Sequence, residues 1–194
     1  MRETKAQRNL KTALAASPGG FTHPDRIVQN LNIPVGASIA DFGCGSGYFT
    51  LLLARLVGPS GKIFAIDVQQ KALDVVRAKA LDSGVRNITY TRANLEKENG
   101  SALADRSQDM VLLANILFQS KNKVAIVREA CRVLRSGGEL VMIDWLPETP
   151  FGPKDTGWKL SKEEGHALAQ ENGMEFIKEF TASINHWGLL FKKP

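Results

Sequence analysis

Gly43, Gly45 and Gly47 alternate through the run Asp41-Phe42-Gly43-Cys44-Gly45-Ser46-Gly47-Tyr48. A strand-like segment (38–42) leads into the glycines and an amphipathic stretch (48–57) follows them. Glycines between a strand and a helix let the main chain turn sharply and let a ligand approach the backbone. Free N–H groups at a helix start favour a negatively charged ligand group. A second acid, Asp67, closes the next apolar run, 24 positions beyond Gly43. A carboxylate there can accept hydrogen bonds from both hydroxyls of a ribose. The glycine pattern is G-x-G-x-G, with Tyr48 where the dinucleotide fingerprint needs its third glycine. Asp41, two residues before the first glycine, opposes a pyrophosphate and suits a ligand with a cationic amino group.

Other chemistries fit less well. A hydrolase elbow needs G-x-S-x-G, and the position two before Ser46 is Cys44. His23, His166 and His186 lack metal-ligand spacing, so no metal is expected. The two cysteines, Cys44 and Cys131, exclude a disulfide scaffold and a Cys-rich zinc site, and they fit a reducing compartment.

The elements that must position the loop follow from hydrophobic patterning. Strands are expected over 38–42, 62–67, 87–91, 109–114 and 139–144, with the fourth apolar throughout, as in a strand buried on both faces. Helices are expected over 48–57, 69–82 and 122–134, with Gly84 as C′ residue of the second and Ser136-Gly137-Gly138 closing the third. Ser161 and Glu164 form a capping box for a further helix running to Gly173. Two final strands, 174–181 and 186–192, are joined by a tight Ala-Ser-Ile-Asn link and must be antiparallel. The alternation predicts an α/β fold, a doubly wound, mostly parallel sheet ending in an antiparallel hairpin.

The length of 194 residues suits one domain, 1–194, with 1–20 as an N-terminal helical extension. Hydrophobic residues at 43% and charged residues at 23% exclude a disordered or fibrous chain. No apolar run reaches the ~18 residues of a membrane span, and the first residues lack the apolar segment of a signal peptide. A cytoplasmic location is expected. The first eleven residues carry +3 of the net +5, so the basicity sits in a tail and a nucleic-acid partner is not expected.

S-adenosylmethionine (SAM) has the amino group that Asp41 suits, a carboxylate for the helix start and a ribose for Asp67. The chain resembles the class I SAM-dependent methyltransferases, in the small-molecule group that includes the ubiquinone/menaquinone methyltransferases (methyltransferase type 11). IADFGCGSGYFT resembles the family's first motif, FAIDV its second, DMVLLANILFQ its fourth and VLRSGGELVMIDW the next. ENGMEF and the closing hairpin match its antiparallel seventh strand. The resemblance implies a Rossmann-like seven-stranded sheet of order 3-2-1-4-5-7-6. It implies transfer of a methyl group from SAM to a small-molecule acceptor, leaving S-adenosylhomocysteine (SAH). It implies that Gly43, Gly45 and Gly47 shape the loop under the methionine moiety and that Asp41 lies near the amino group. Asp67 would bind the ribose and Val68 pack on the adenine. Asn94 and Leu95 would meet the adenine edge, and Asn115 would lie near the sulfonium. Ala93 replaces an Asp common among relatives, and Phe118-Gln119 stands where many carry a His.

No catalytic base is evident. Asp144 at the end of the fifth strand and His23 ahead of the sheet are the candidates. The stretches 21–26 and 146–160 could fold over the crevice, and Trp145 could wall a substrate pocket. An RNA or protein methyltransferase, a non-catalytic SAM-binding module and a nicotinamide oxidoreductase remain as alternatives. The last is disfavoured by Tyr48 and Asp41, and two cysteines disfavour arsenic chemistry. A homo-oligomer is compatible with the chain.

Overall fold

The structure, a computed structural model, describes residues 24–149 and 159–194. The expected extension over 1–20, His23 and most of the stretch 146–160 therefore lie outside the described residues.

In chain order the elements are α1 (Pro24–Val28), β1 (Ser38–Phe42), α2 (Tyr48–Leu56), β2 (Lys62–Asp67), α3 (Gln70–Asp82) and β3 (Ile88–Arg92). They continue with β4 (Gln108–Ala114), a 3₁₀ turn (Leu117–Gln119), α4 (Lys123–Val133), β5 (Leu134–Trp145), α5 (Lys162–Glu171), β6 (Glu175–Ser183) and β7 (His186–Lys192). The seven strands form one sheet in the order β3-β2-β1-β4-β5-β7-β6. The first five run parallel, and β7 pairs antiparallel with both β5 and β6. This is the Rossmann-like order that the resemblance implies.

Side chains alternate across the sheet. Phe42, Leu113, Met142 and Phe191 point to the layer holding α4 and α5, where they pack with Ile126, Ala130 and Ala169. Ile39, Leu112 and Ile143 point the other way, onto Ile27 of α1 and Phe49 and Leu53 of α2. Leu73 and Val76 seat α3 on Ala65 of β2. Each large aliphatic or Phe side chain fully buried in these layers contributes about 1.5–3 kcal/mol. Met110 through Leu113 are all buried, as an apolar strand covered on both faces must be.

Local signals behave as their chemistry requires. Ser161 accepts from the Glu164 N–H and Glu164 from the Ser161 N–H, so the capping box forms. Gly84 takes a left-handed φ of +68° just beyond α3. The Ser136-Gly137-Gly138 segment differs from expectation. It lies inside β5 as a bulge, since Gln108 pairs with Leu134 while Met110 pairs with Glu139. Gly137, at φ +77°, lets the strand absorb the extra residues. The final link is also shorter than expected, because β6 extends to Ser183 and leaves Ile184-Asn185 between the strands.

The strand order reverses between β1 and β4. Ligands of doubly wound sheets bind outside the carboxyl ends of the strands at such a switch point.

Candidate functional site

A cleft of about 780 Å³ lies at that switch point. Its walls come from the loops after β1, β2, β3 and β4 and from the first turns of α2 and α3.

The glycine loop is held from below by β2. The N–H groups of Gly43 and Cys44 both donate to the Ile66 carbonyl, at 2.8 and 3.1 Å. Gly43 (φ +73°) and Gly47 (φ +80°) are left-handed, and each also leaves no room for a side chain. A Cβ on Gly43 would stand 2.6 Å from Ile116 Cδ1, and one on Gly47 would stand 2.9 Å from Val76 Cγ2. Gly43 thus lets the turn after β4 close against the loop, and Gly47 lets α2 start against α3. Around Gly45 a Cβ would meet nothing within 4 Å, because that residue faces the cleft.

Asp41 is buried on the α2 side of the sheet and lines the cleft. Its Oδ2 accepts from Thr50 Oγ1 at 2.5 Å, which ties the strand end to the first turn of α2. Burial pushes its carboxyl up to about 6, against the pull of the Thr50 bonds and with the push of nearby Asp67. The carboxylate therefore gains from a cation placed beside it.

Asp67 closes β2 with both oxygens engaged by main chain. Oδ2 accepts from the Gly45 N–H at 3.0 Å and Oδ1 from the Gln69 N–H at 2.9 Å. Each carboxylate oxygen retains a second lone pair for a ligand hydroxyl. The amides of Gly43, Cys44 and Gly45, ahead of the helix start, are used internally.

After β3, Asn94 lines the cleft at its exposed rim, while Leu95 is buried behind it. Asn94 Oδ1 accepts from the Glu96 N–H at 2.9 Å, so the side chain shapes its own turn. After β4, Asn115 has a left-handed φ of +55°. Its N–H donates to the Ile143 carbonyl at 2.9 Å. Its Oδ1 is buried without a hydrogen-bond partner, the kind of orphaned acceptor that a ligand donor satisfies. Val68 offers an apolar side chain at the mouth, 56% exposed.

The cleft thus gathers Asp41, Gly43, Gly45, Asp67, Val68, Asn94, Leu95 and Asn115. Gly47 is not among the lining residues and supports the loop from behind. Asp144, a candidate base, does not line the cleft either. Its Oδ1 accepts from the Trp145 N–H (2.8 Å) and its Oδ2 from the Phe118 N–H (3.0 Å). Trp145 is buried against His186, ring centroids 4.0 Å apart, instead of facing this cleft.

Sequence reading gives no cleft role to Tyr48, Ile116 or Ser120. Ser120 Oγ donates to Glu96 Oε1 at 2.5 Å and so joins the loops after β3 and β4. Ser120 lies just beyond the DMVLLANILFQ motif, and only folding brings it to Glu96. Among the described residues no group of three or more His, Cys, Asp or Glu could hold a metal ion.

These groups suit SAM: an anionic carboxylate beside the glycine loop, a two-oxygen acceptor at the end of β2, apolar walls from Val68 and Ile116, and an unpartnered amide oxygen. The doubly wound sheet and this cleft define a nucleoside-binding α/β domain. A family model described as "Methyltransferase domain" matches residues 34–181. The ubiquinone/menaquinone biosynthesis C-methyltransferase of Hahella chejuensis is 36% identical over 123 residues, 63% of this chain and 48% of that protein. An arsenite methyltransferase of Aquipseudomonas alcaligenes is 34% identical over 113 residues, 56% of this chain and 33% of that protein. The chain matches about half or less of the length of these curated relatives. A solved SAM-dependent methyltransferase from Aquifex aeolicus superposes with a TM-score of 0.80 at 21% identity, covering 95% of this chain and 96% of that one. The chain belongs to the class I SAM-dependent methyltransferase family.

Proposed function

We propose that this chain binds SAM in the switch-point cleft and transfers its methyl group to a small-molecule acceptor. The observation that carries this reading is the joint placement of Asp41, Asp67 and the orphaned Asn115 Oδ1 around one glycine-lined cleft. Bound SAM supplies a methyl group on a sulfonium, ready for in-line displacement.

The residues of the chain hold and orient. Asp41 takes the amino group, and the turn of Gly43 and Gly45 lets the methionine portion lie against the main chain. Asp67 accepts from the ribose hydroxyls with its remaining lone pairs. Val68 and Leu95 flank the adenine, with Asn94 at its edge, and Asn115 turns its amide oxygen, the negative end of a dipole, to the positive charge of the sulfonium end. Gly47 acts indirectly, by fixing the start of α2. Alignment of this kind supplies up to ~7–11 kcal/mol of a barrier.

The curated relatives favour a small acceptor, since the Hahella protein is named for ubiquinone and menaquinone synthesis. For an arsenical acceptor the chain offers little. Cys44 sits in the glycine loop and Cys131 in α4, both are buried, and burial pushes both thiols up, Cys131 to about 12.

One observation favours a second reading, a SAM-binding module without turnover. Among the described residues no histidine lines the cleft, and Asp144 is turned to main-chain donors. Methyl-labelled SAM incubated with panels of quinols, phenols and thiols, and separately with RNA and protein, decides between them. Label in a small molecule supports the proposal. Label only in RNA or protein supports an acceptor of that class. SAM binding without transfer to any panel supports the non-catalytic module.

A further inference from the structure

Asp144 is a buried carboxylate that the cleft does not use directly. Its surroundings show what it holds. The turn after β4 carries Asn115, Ile116, Gln119 and Ser120, all of which line the cleft. This turn has no strand partner of its own and is fixed from β5 at two adjacent points. The Ile143 carbonyl accepts from the Asn115 N–H, and Asp144 Oδ2 accepts from the Phe118 N–H. The turn closes on itself through Gln119 Nε2 donating to the Asn115 carbonyl at 3.1 Å. Its far side presses on the glycine loop, where Ile116 fills the space a Cβ on Gly43 would take. The turn therefore sets where Asn115 stands in the cleft.

We propose that Asp144 is a positioning residue: its carboxylate holds the β4 turn so that the unpartnered Asn115 Oδ1 is presented to SAM. This rests on the functional reading above. Asn tolerates the left-handed backbone found at Asn115, and the Ile143 carbonyl and Asp144 fix the turn on either side of it. Burial pushes the Asp144 carboxyl up to about 7, offset in part by the Trp145 and Phe118 amides and by Lys123. Two N–H donors converge on it, and a protonated or amide side chain serves two donors less well.

The test is calorimetric titration with SAM at a temperature well below unfolding, for wild type, Asp144→Asn, Asp144→Ala, Asn115→Ala and the double variant Asp144→Asn/Asn115→Ala. Asp144→Asn keeps the shape and one acceptor, and we expect affinity to fall roughly 3- to 5-fold, with Asp144→Ala falling about 10-fold. Because Asp144 acts through Asn115, the double variant binds no more weakly than Asn115→Ala alone. Glu129→Gln, in a buried cluster outside the cleft, serves as the stability control, lowering Tm while SAM affinity stays at the wild-type value. If Asp144→Asn lowers Tm but leaves SAM affinity unchanged, Asp144 is structural only and the proposal is overturned. Full additivity with Asn115→Ala, or unchanged affinity in Asn115→Ala itself, overturns it as well. A wild-type protein that binds neither SAM nor SAH instead removes the functional reading beneath it.

Discussion

Asp67 holds two structures together with one side chain: its oxygens tie the glycine loop to the start of α3 through the Gly45 and Gln69 amides. An Asp67→Ala substitution removes the ribose acceptors and slackens the loop, and SAM affinity falls at least ~10-fold, read by titration on folded protein. Asp41 makes a pH-dependent contribution of the opposite kind. Its carboxyl is raised from 3.8 to about 6 in the folded protein, so folding disfavours the ionised form. The cost is absent below about pH 4, grows as pH rises, and is complete above about pH 6. That rise corresponds to roughly 3 kcal/mol. Asp41→Asn therefore gains stability relative to wild type as pH rises from 4 to 7, in parallel thermal unfolding series. A gap that shrinks over this range contradicts the assignment. Binding runs the other way. The ligand ammonium favours ionised Asp41, so wild-type SAM affinity drops as pH falls through 6, and that step is missing in Asp41→Asn.

At the level of elements, the junction of α2 and α3 depends on a residue without a side chain. Gly47→Ala adds a Cβ at 2.9 Å from Val76 to a left-handed position. Strain and overpacking together cost roughly 2–4 kcal/mol, lowering Tm by about 5–15 °C. A second junction joins α4 to the loop before β4. Arg132 bonds Glu129, Asp105 and the Leu103 carbonyl, and Glu129, itself buried, also accepts from the Ser101 N–H at 2.9 Å. Burial raises the Glu129 carboxyl, yet the Arg132 and Ser101 bonds hold it below its usual value. Arg132→Ala leaves that carboxylate without its cation, and unfolding stability falls by about 3 kcal/mol, checked by denaturant titration. The elements around these junctions were legible in the sequence where a period or a cap marked them: the apolar run of β4, the Ser161 capping box, the glycines flanking α2. What was not legible depends on neighbours distant in sequence. The Ser136–Gly138 bulge exists because β5 must match β4 on both sides of it. The Glu96–Ser120 bridge spans 24 positions. Asp144 reads as a base because strand-end acids often face a crevice, and only the fold shows Phe118 and Trp145 donating to it.

Over the whole molecule, the sheet serves as a rigid base whose carboxyl ends carry the cleft on loops after four adjacent strands, β3, β2, β1 and β4. Two packed layers, α1 to α3 on one face and α4 with α5 on the other, leave that edge for ligand. Among the described residues no helix is long and apolar enough to cross a membrane. The charge that sets the ligand is local: Asp41 and Asp67 meet at the glycine loop although the chain as a whole carries +5. On the proposed reading, Asp41 beside the loop favours a cationic amino group over a pyrophosphate. Parallel calorimetric titrations with SAM, SAH and NAD test this most directly. SAM and SAH should bind with one-to-one stoichiometry while NAD gives no saturable heat. NAD binding, or failure of both SAM and SAH to bind a folded sample, would contradict the account.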